Sequence, residues 1–396
     1  MKPECPPLPP SPFDREIERA ATDSLKYDLR PQLFGRADVL PLWVADMDFA
    51  TPDFIIQDLE QRLRHPILGY SLRPQVMTEI LQAWLERRQG WRPAAEHCLF
   101  SPGVVPSLAL AVRAFSRPGD GVLVQPPVYP PFFSCVQDNG RRLLRNPLIL
   151  KDNQFQMDLE GLERLLQQEA PALLLLCSPH NPGGRVWRRQ ELSELIALCQ
   201  RHGCLIVSDE IHADLLYPGE CFTPAAALSE RVVCLTSPGK AFNIAGITPS
   251  VSLIADAGLR QTFQQEQQAA HLTDARLLGD IALCAAYQEG DAWLDQLMAY
   301  LQHSRDQALA YARQHWPGIR VMSPQASFLF WLDCRELAAE RGLTDTALNR
   351  LFIDQAGLGL SAGHSFGTEG SGFMRLNFGL PRKPLLAALE RIARLH

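Results

Sequence analysis

The chain has 396 residues, 46% of them hydrophobic and 21% charged, with a formal net charge of -6 at pH 7. These values exclude disordered, collagen-like and coiled-coil chains, and the length allows two or three domains with substantial cores. The mild acidity offers no attraction to nucleic acid or anionic lipid, and no apolar run reaches the ~18 residues of a membrane span.

The N-terminus, MKPECPPLPPSPFD, lacks the apolar stretch of a secretory signal, so a cytoplasmic protein is expected. Its first dozen residues are Pro-rich and predict an extended, mobile tail. Helical spacing then covers 53–64 and 74–89, the second with Ile80, Leu81, Trp84 and Leu85 on one face. Brief, nearly all-apolar runs follow at 121–125, 172–177, 204–208, 232–236 and 251–254, with a helix over 188–201 in one gap. Apolar runs alternating with helices predict an α/β fold whose mostly parallel sheet is covered on both faces. A long helical region spans 259–315, with breaks expected near Gly279 and Gly290. Strands at 328–333 and 373–378 and helices at 344–355 and 384–395 read as a smaller α+β domain. The expected division is 1–49 as a segment joining the small domain, 50–287 as the large domain and 288–396 as the small one.

The 10 Cys are scattered without C-x-x-C, and Cys177, Cys204, Cys234 and Cys284 lie in apolar stretches, which fits free thiols in a reducing compartment. The 10 His show no H-E-x-x-H and no zinc spacing, so no metal site is expected.

Ligands of open α/β sheets bind beyond the carboxyl ends of the strands. The run 172–177 leads into SPHNPGG with Asn181, 204–208 into DEIH with Asp209 and His212, and 232–236 into SPGK with Lys240. Each step is one βαβ unit long, so the three ends can face one crevice. Of the five lysines, four sit in segments that read as exposed or peripheral, whereas Lys240 follows a buried strand. A desolvated lysine loses its proton more readily and can condense with an aldehyde. Ser101-Pro102-Gly103-Val104-Val105 feeds a helical pattern and offers an anion free backbone N–H groups. Ser237 can add a hydroxyl, and Tyr129, in PPVYPPF, can lay its ring on a flat heterocycle. Together these parts describe a site for pyridoxal 5'-phosphate. Lys240 meets the aldehyde, Asp209 the ring nitrogen, Asn181 and His212 the phenolic oxygen, and Gly103, Val104, Val105 and Ser237 the phosphate.

At this point the sequence resembles the fold-type I pyridoxal-phosphate enzymes of the aspartate-aminotransferase superfamily. More narrowly it resembles the MalY/PatB-like group of cystathionine β-lyases, that is, C–S lyases. The segments carrying the resemblance are PLWVADMDFATP, HPILGYSLRP, SPGVVPSLALAV, PPVYPPFF, CSPHNPGGRVW, VSDEIHADLLY, TSPGKAFNIAG and SGFMRLNFGLPR, from about Asp14 to Arg382. It implies a seven-stranded, mostly parallel large-domain sheet and a homodimer with active sites at the interface. Lys240 becomes the covalent lysine and proton carrier, and Tyr129 the stacking ring. Tyr70 would reach the phosphate in the neighbouring subunit. Arg375 would pair with the substrate α-carboxylate, with Asn181 and Asp46 also near the substrate. The implied reaction is α,β-elimination from L-cystathionine or another sulfur amino acid, giving thiol, pyruvate and ammonia. Transamination is the nearest alternative, and a non-catalytic regulatory protein keeping the fold is a more distant one. Two departures stand out. Thr248 replaces an arginine common eight residues after the lysine, and Ala326-Ser327-Phe328 replaces Gly-Thr-Tyr in a loop that bears on substrate preference.

Overall fold

The computed structural model describes residues 10–395, so most of the Pro-rich tail, positions 1–9, lies outside the described residues. Seven strands form the main sheet: β1 (Cys98–Ser101), β2 (Gly121–Val124), β3 (Arg142–Arg145), β4 (Leu173–Cys177), β5 (Leu205–Asp209), β6 (Val232–Thr236) and β7 (Ser250–Ile254). Their order is β1-β7-β6-β5-β4-β2-β3. β7 runs antiparallel to both neighbours, and the other pairs are parallel. The carboxyl ends of β1 to β6 therefore all open at one edge.

Residues of β2, β4, β5 and β6 are all buried, because successive side chains enter opposite apolar layers. Leu174, Leu176 and Ile206 join the layer that includes Leu192 and Leu195 of the helix Arg189–Arg201. Leu173, Leu175 and Val207 join the other, with Leu108 and Val112 of the helix Val104–Phe115. The sequence reading missed β1 and β3, and set the other strands within a residue or so of where they lie.

A second sheet is wholly antiparallel, in the order β8-β9-β11-β10, with β8 at Arg320–Met322, β9 at Leu329–Asp333, β10 at Ser361–Ala362 and β11 at Phe373–Asn377. The N-terminal segment joins this part of the chain, since Leu40–Pro41 pairs in parallel with Leu358–Gly359. The chain is tied down directly after the Pro-rich stretch. Phe13 is buried against Phe49, Trp293 and Tyr300, and the Asp14 carboxylate accepts from Tyr300 Oη at 2.8 Å and Arg382 Nε at 2.7 Å.

The long helical region divides into Ala257–Ala269, Leu277–Glu289 and Asp291–His315. Gly290 marks one junction, as expected, but the other falls at 270–276 and Gly279 lies inside a helix. Gly279 serves close packing there, since a Cβ would strike the Ile247 carbonyl. Lys26, read as peripheral, is fully buried and pairs with Asp48 at 3.0 Å. Among the described residues, no helix is long and apolar enough to cross a membrane.

Candidate active site

At the carboxyl edge of the large sheet lies a cavity of about 360 Å³. Lys240, Asp209, Asn181, His212, Tyr129, Gly103, Val104 and Val105 all line it. The topology explains the convergence. β4, β5 and β6 are parallel neighbours, so Asn181, Asp209 and Lys240 leave their ends on one side. The turn before Val104–Phe115 follows β1, and Tyr129 follows β2 at the same edge.

Asp209 is buried, and its Oδ1 accepts from the Ile211 backbone N–H at 3.1 Å. Burial pushes its carboxyl up to about 6, against the pull of that N–H and of the Lys240 charge. The Lys240 amine is lowered to about 8, first by desolvation and then by the Arg375 cation, with Asp46 and Asp209 opposing. Its Nζ donates to the Ala45 carbonyl at 2.7 Å. Burial, Lys240 and Arg375 together lower His212 to about 3, so its imidazole is neutral at ordinary pH. Its Nδ1 is buried with no hydrogen-bond partner among the described residues.

Arg375, on β11, is buried and reaches the same group: Nη1 donates to Asn181 Oδ1 at 3.0 Å. Its Nη2 donates to the Trp43 carbonyl at 2.5 Å, and its guanidinium lies 4.9 Å from the Phe366 ring centroid. At the helix start, the Val104 and Val105 N–H groups have no intrahelical acceptor, and both residues line the cavity.

Arg375 reaches the site through Asn181 without lining the cavity, and three further expected site residues also stand apart from its wall. Ser237 donates its hydroxyl to the Pro249 carbonyl at 3.0 Å and accepts from the Gly239 N–H at 3.1 Å. Asp46 pairs with Arg19 at 2.8 Å and lies 3.5 Å from Lys26 Nζ. Tyr70 is fully exposed and borders a separate surface hollow with His271 and Arg276. Thr248 is buried and donates its hydroxyl to the Ile244 carbonyl at 3.0 Å. In the departing loop, Phe328 is buried edge-on to His212, and Ser327 has a left-handed φ of 69° while Tyr217 Oη donates to its carbonyl at 2.8 Å.

Sequence reasoning passed over Cys177, which lines the cavity beside its strand partner Asp209, and the Ala45 carbonyl. It also gave no role to Asn243 or Asn377, although both lie in motifs it singled out. Backbone carbonyls carry no residue signature, and an isolated Asn reads as a turn residue.

A mostly parallel seven-stranded sheet with a lysine, a carboxylate and an amide gathered at its carboxyl edge is the architecture of fold-type I pyridoxal-phosphate enzymes. The chain belongs to the aminotransferase class I and II family, whose model matches residues 37–392. It is 42% identical over 385 residues to cystathionine beta-lyase PatB of Bacillus subtilis, covering 96% of this chain and 98% of that protein. It is 32% identical over 376 residues to protein MalY of Escherichia coli, covering 94% and 95%. Among solved structures, cystalysin of Treponema denticola, which contains pyridoxal 5'-phosphate, superposes with a TM-score of 0.92 at 30% identity, covering 97% of this chain and 98% of that one.

Proposed function

We propose that this protein is a carbon–sulfur β-lyase that takes L-cystathionine or related L-cysteine S-conjugates to thiol, pyruvate and ammonia. One observation carries the reading: a desolvated lysine and a buried carboxylate face a single cavity between free helix N–H groups and a buried arginine. The kinship with PatB and MalY supports it.

The cofactor is pyridoxal 5'-phosphate, and the residues present fit it. The unpartnered His212 Nδ1 and the free Val104 and Val105 N–H groups are polar atoms awaiting a ligand, and Asp209 supplies the buried acid. In this reading Lys240 meets the aldehyde, Asp209 the ring nitrogen, Asn181 and His212 the phenolic oxygen, and Tyr129 the ring face. Gly103, Val104 and Val105 take the phosphate; Ser237 joins them only by turning its hydroxyl from Pro249. When bound, the cofactor supplies an aldehyde and an electron-withdrawing ring that stabilises negative charge at the substrate Cα.

The chain's own residues do the rest. Arg375 grips the α-carboxylate with a guanidinium already aimed by Asn181 Oδ1 and the Trp43 carbonyl, so little orientation is lost on binding. The Lys240 amine, freed when substrate takes its place, removes the Cα proton; its lowered proton affinity keeps a useful fraction neutral near pH 8. Asp209, ionised above about pH 6, holds a proton on the ring nitrogen. The Cβ–S bond then breaks, the thiolate takes up a proton, and the released aminoacrylate hydrolyses.

The homodimer belongs to the same reading, as do the division at 49 and 287 and the cytoplasmic location. Ile67, Leu68, Tyr70 and Leu72 form an exposed apolar run suited to a second copy of the chain, and Tyr70 would enter its partner's site. Every described cysteine is a free thiol, which suits a reducing compartment.

The test is product analysis on purified protein with L-cystathionine, alongside Lys240→Ala. We expect thiol and pyruvate from the wild type and a loss of ~10²–10⁴-fold in the variant. Undiminished pyruvate from Lys240→Ala would overturn the lysine assignment. A keto acid that retains the sulfur would instead establish transamination.

A further inference from the structure

Residues 43–47 form a strap that meets the cavity at Ala45, and each of their carbonyls accepts a hydrogen bond from a side chain. Those of Trp43, Ala45 and Met47 accept from Arg375 (2.5 Å), Lys240 (2.7 Å) and Asn243 (2.8 Å). Those of Val44 and Asp46 both accept from the single amide nitrogen of Asn377, at 2.5 and 2.6 Å. Asn243 grips more than one point: its Oδ1 accepts from the Met47 N–H at 2.9 Å, and its Nδ2 also donates to the Phe49 carbonyl at 2.9 Å. It holds this position at a φ of 56°, a conformation Asn tolerates better than most residues. Asn377 is fully buried, and its Oδ1 accepts from the Gly379 N–H at 2.8 Å, so the amide is fixed at both ends. The two clamps flank the Ala45 carbonyl.

We propose that Asn243 and Asn377 are positioning residues that hold the Ala45 carbonyl as the receiving acceptor for the Lys240 amine whenever it is free of the cofactor. The inference rests on the functional reading above, which makes Lys240 the proton carrier. A neutral amine has one lone pair and two N–H bonds. Committing one N–H to a fixed carbonyl limits rotation about the last side-chain bond and leaves the lone pair a restricted set of directions. A mobile strap loses that restriction, and misplacement by about 1 Å costs ~10²-fold in rate. The carbonyl also favours the charged amine, so loosening it shifts the amine's titration downward. The other groups facing Lys240 are Asp209 from β5, His212 from the following turn, Arg375 from β11 and Asp46 on the strap; Asp46 moves with the strap, and drawing its charge away lowers the amine's titration in the same direction.

The substitutions are Asn243→Gly, which accepts the backbone angle while removing all three side-chain hydrogen bonds of that clamp, and Asn377→Asp, which sets a carboxylate against two carbonyls. Two measurements are made on each. The first is the pH midpoint for capture of pyridoxal phosphate by the apoenzyme, followed through the yellow absorbance of the lysine-bound cofactor. The second is steady-state turnover of L-cystathionine. We expect the midpoint to fall by ~0.5 unit or more in Asn243→Gly, which adds no charge, with kcat down ~10- to 100-fold and KM within ~3-fold in both variants. Variants that melt earlier but keep the wild-type midpoint and kcat would overturn the inference, since that is the mark of a purely structural clamp. If Asn377→Asp does not fold, Asn243→Gly decides alone. A wild-type protein that never develops the absorbance overturns the functional reading and this inference with it; a normal wild type with unshifted variants overturns the inference only.

Discussion

Gly184 joins the Asn181 turn to the loop that carries Ala326, and replacing it with alanine tests whether that junction sets the substrate site. Its φ is 65°, where alanine is strained by ~1–2 kcal/mol. A Cβ there would also lie 2.5 Å from Pro324 Cβ, 2.9 Å from the Ala326 carbonyl oxygen and 3.0 Å from Pro324 Cα. Two of those atoms are backbone, so the loop itself must move, at a further ~1–3 kcal/mol. Gly203 is the control, with a φ of 70° and nothing within 4 Å of its Cβ position. Urea unfolding of both variants should place Gly184→Ala ~1–3 kcal/mol below Gly203→Ala, because the backbone strain and the unfolded-state gain are common to both. The movement should also disturb Asn181, three residues upstream. Losing its 3.0 Å bond to Arg375, worth ~1.5–3 kcal/mol, raises KM by ~10- to 100-fold. Gly184→Ala matching the control within ~0.5 kcal/mol, with unchanged KM, would refute the reasoning.

Other outcomes follow from the same structure. Arg375→Lys keeps the charge but loses the planar fork and its contacts to Asn181 and Trp43, so KM should rise ~10- to 100-fold with the cofactor still bound. Turnover should climb with pH through about 6 as Asp209 ionises and again towards about 8 as Lys240 loses its proton; in Asp209→Asn the lower limb should vanish, a pH–rate profile being the check. His212, already neutral, should contribute no limb between pH 5 and 9. Phe13→Ala should cost ~3–5 kcal/mol in urea unfolding by emptying the pocket between Phe49, Trp293 and Tyr300; a loss under ~1 kcal/mol would mean the N-terminal anchor is dispensable.

The central strands were legible because burial on both faces writes itself as unbroken apolar runs, as in LLLLC of β4 and VVCLT of β6. β3 was not, because RLLR is a half-exposed edge strand with a charge at each end. β1 escaped as four residues, CLFS, too short to stand out from the polar sequence beside it. The break at 270–276 contains neither Gly nor Pro; His271 takes a φ of 54° there, which composition does not announce. Eight cavity residues could be read because each lies at or just past the carboxyl end of a strand or opens a helix. Asp46 and Ser237 lay in the right segments, but the sequence could not say that Arg19 and Pro249 already engage them. Lys26 was misjudged for a related reason: a buried lysine shows itself only through its acids, and Asp48 lies 22 positions away.

The strap has a temporal consequence. Asn377 meets the carbonyls of Val44 and Asp46 across more than 330 positions. A ribosome that has released residues 50–290 has already made every strand of the large sheet and the lysine at its edge. The amide that fastens the strap does not yet exist. The Lys240 amine and the Asn377 amide are thus separated by 137 residues of synthesis (377 − 240), and only a chain extended past Asn377 holds both.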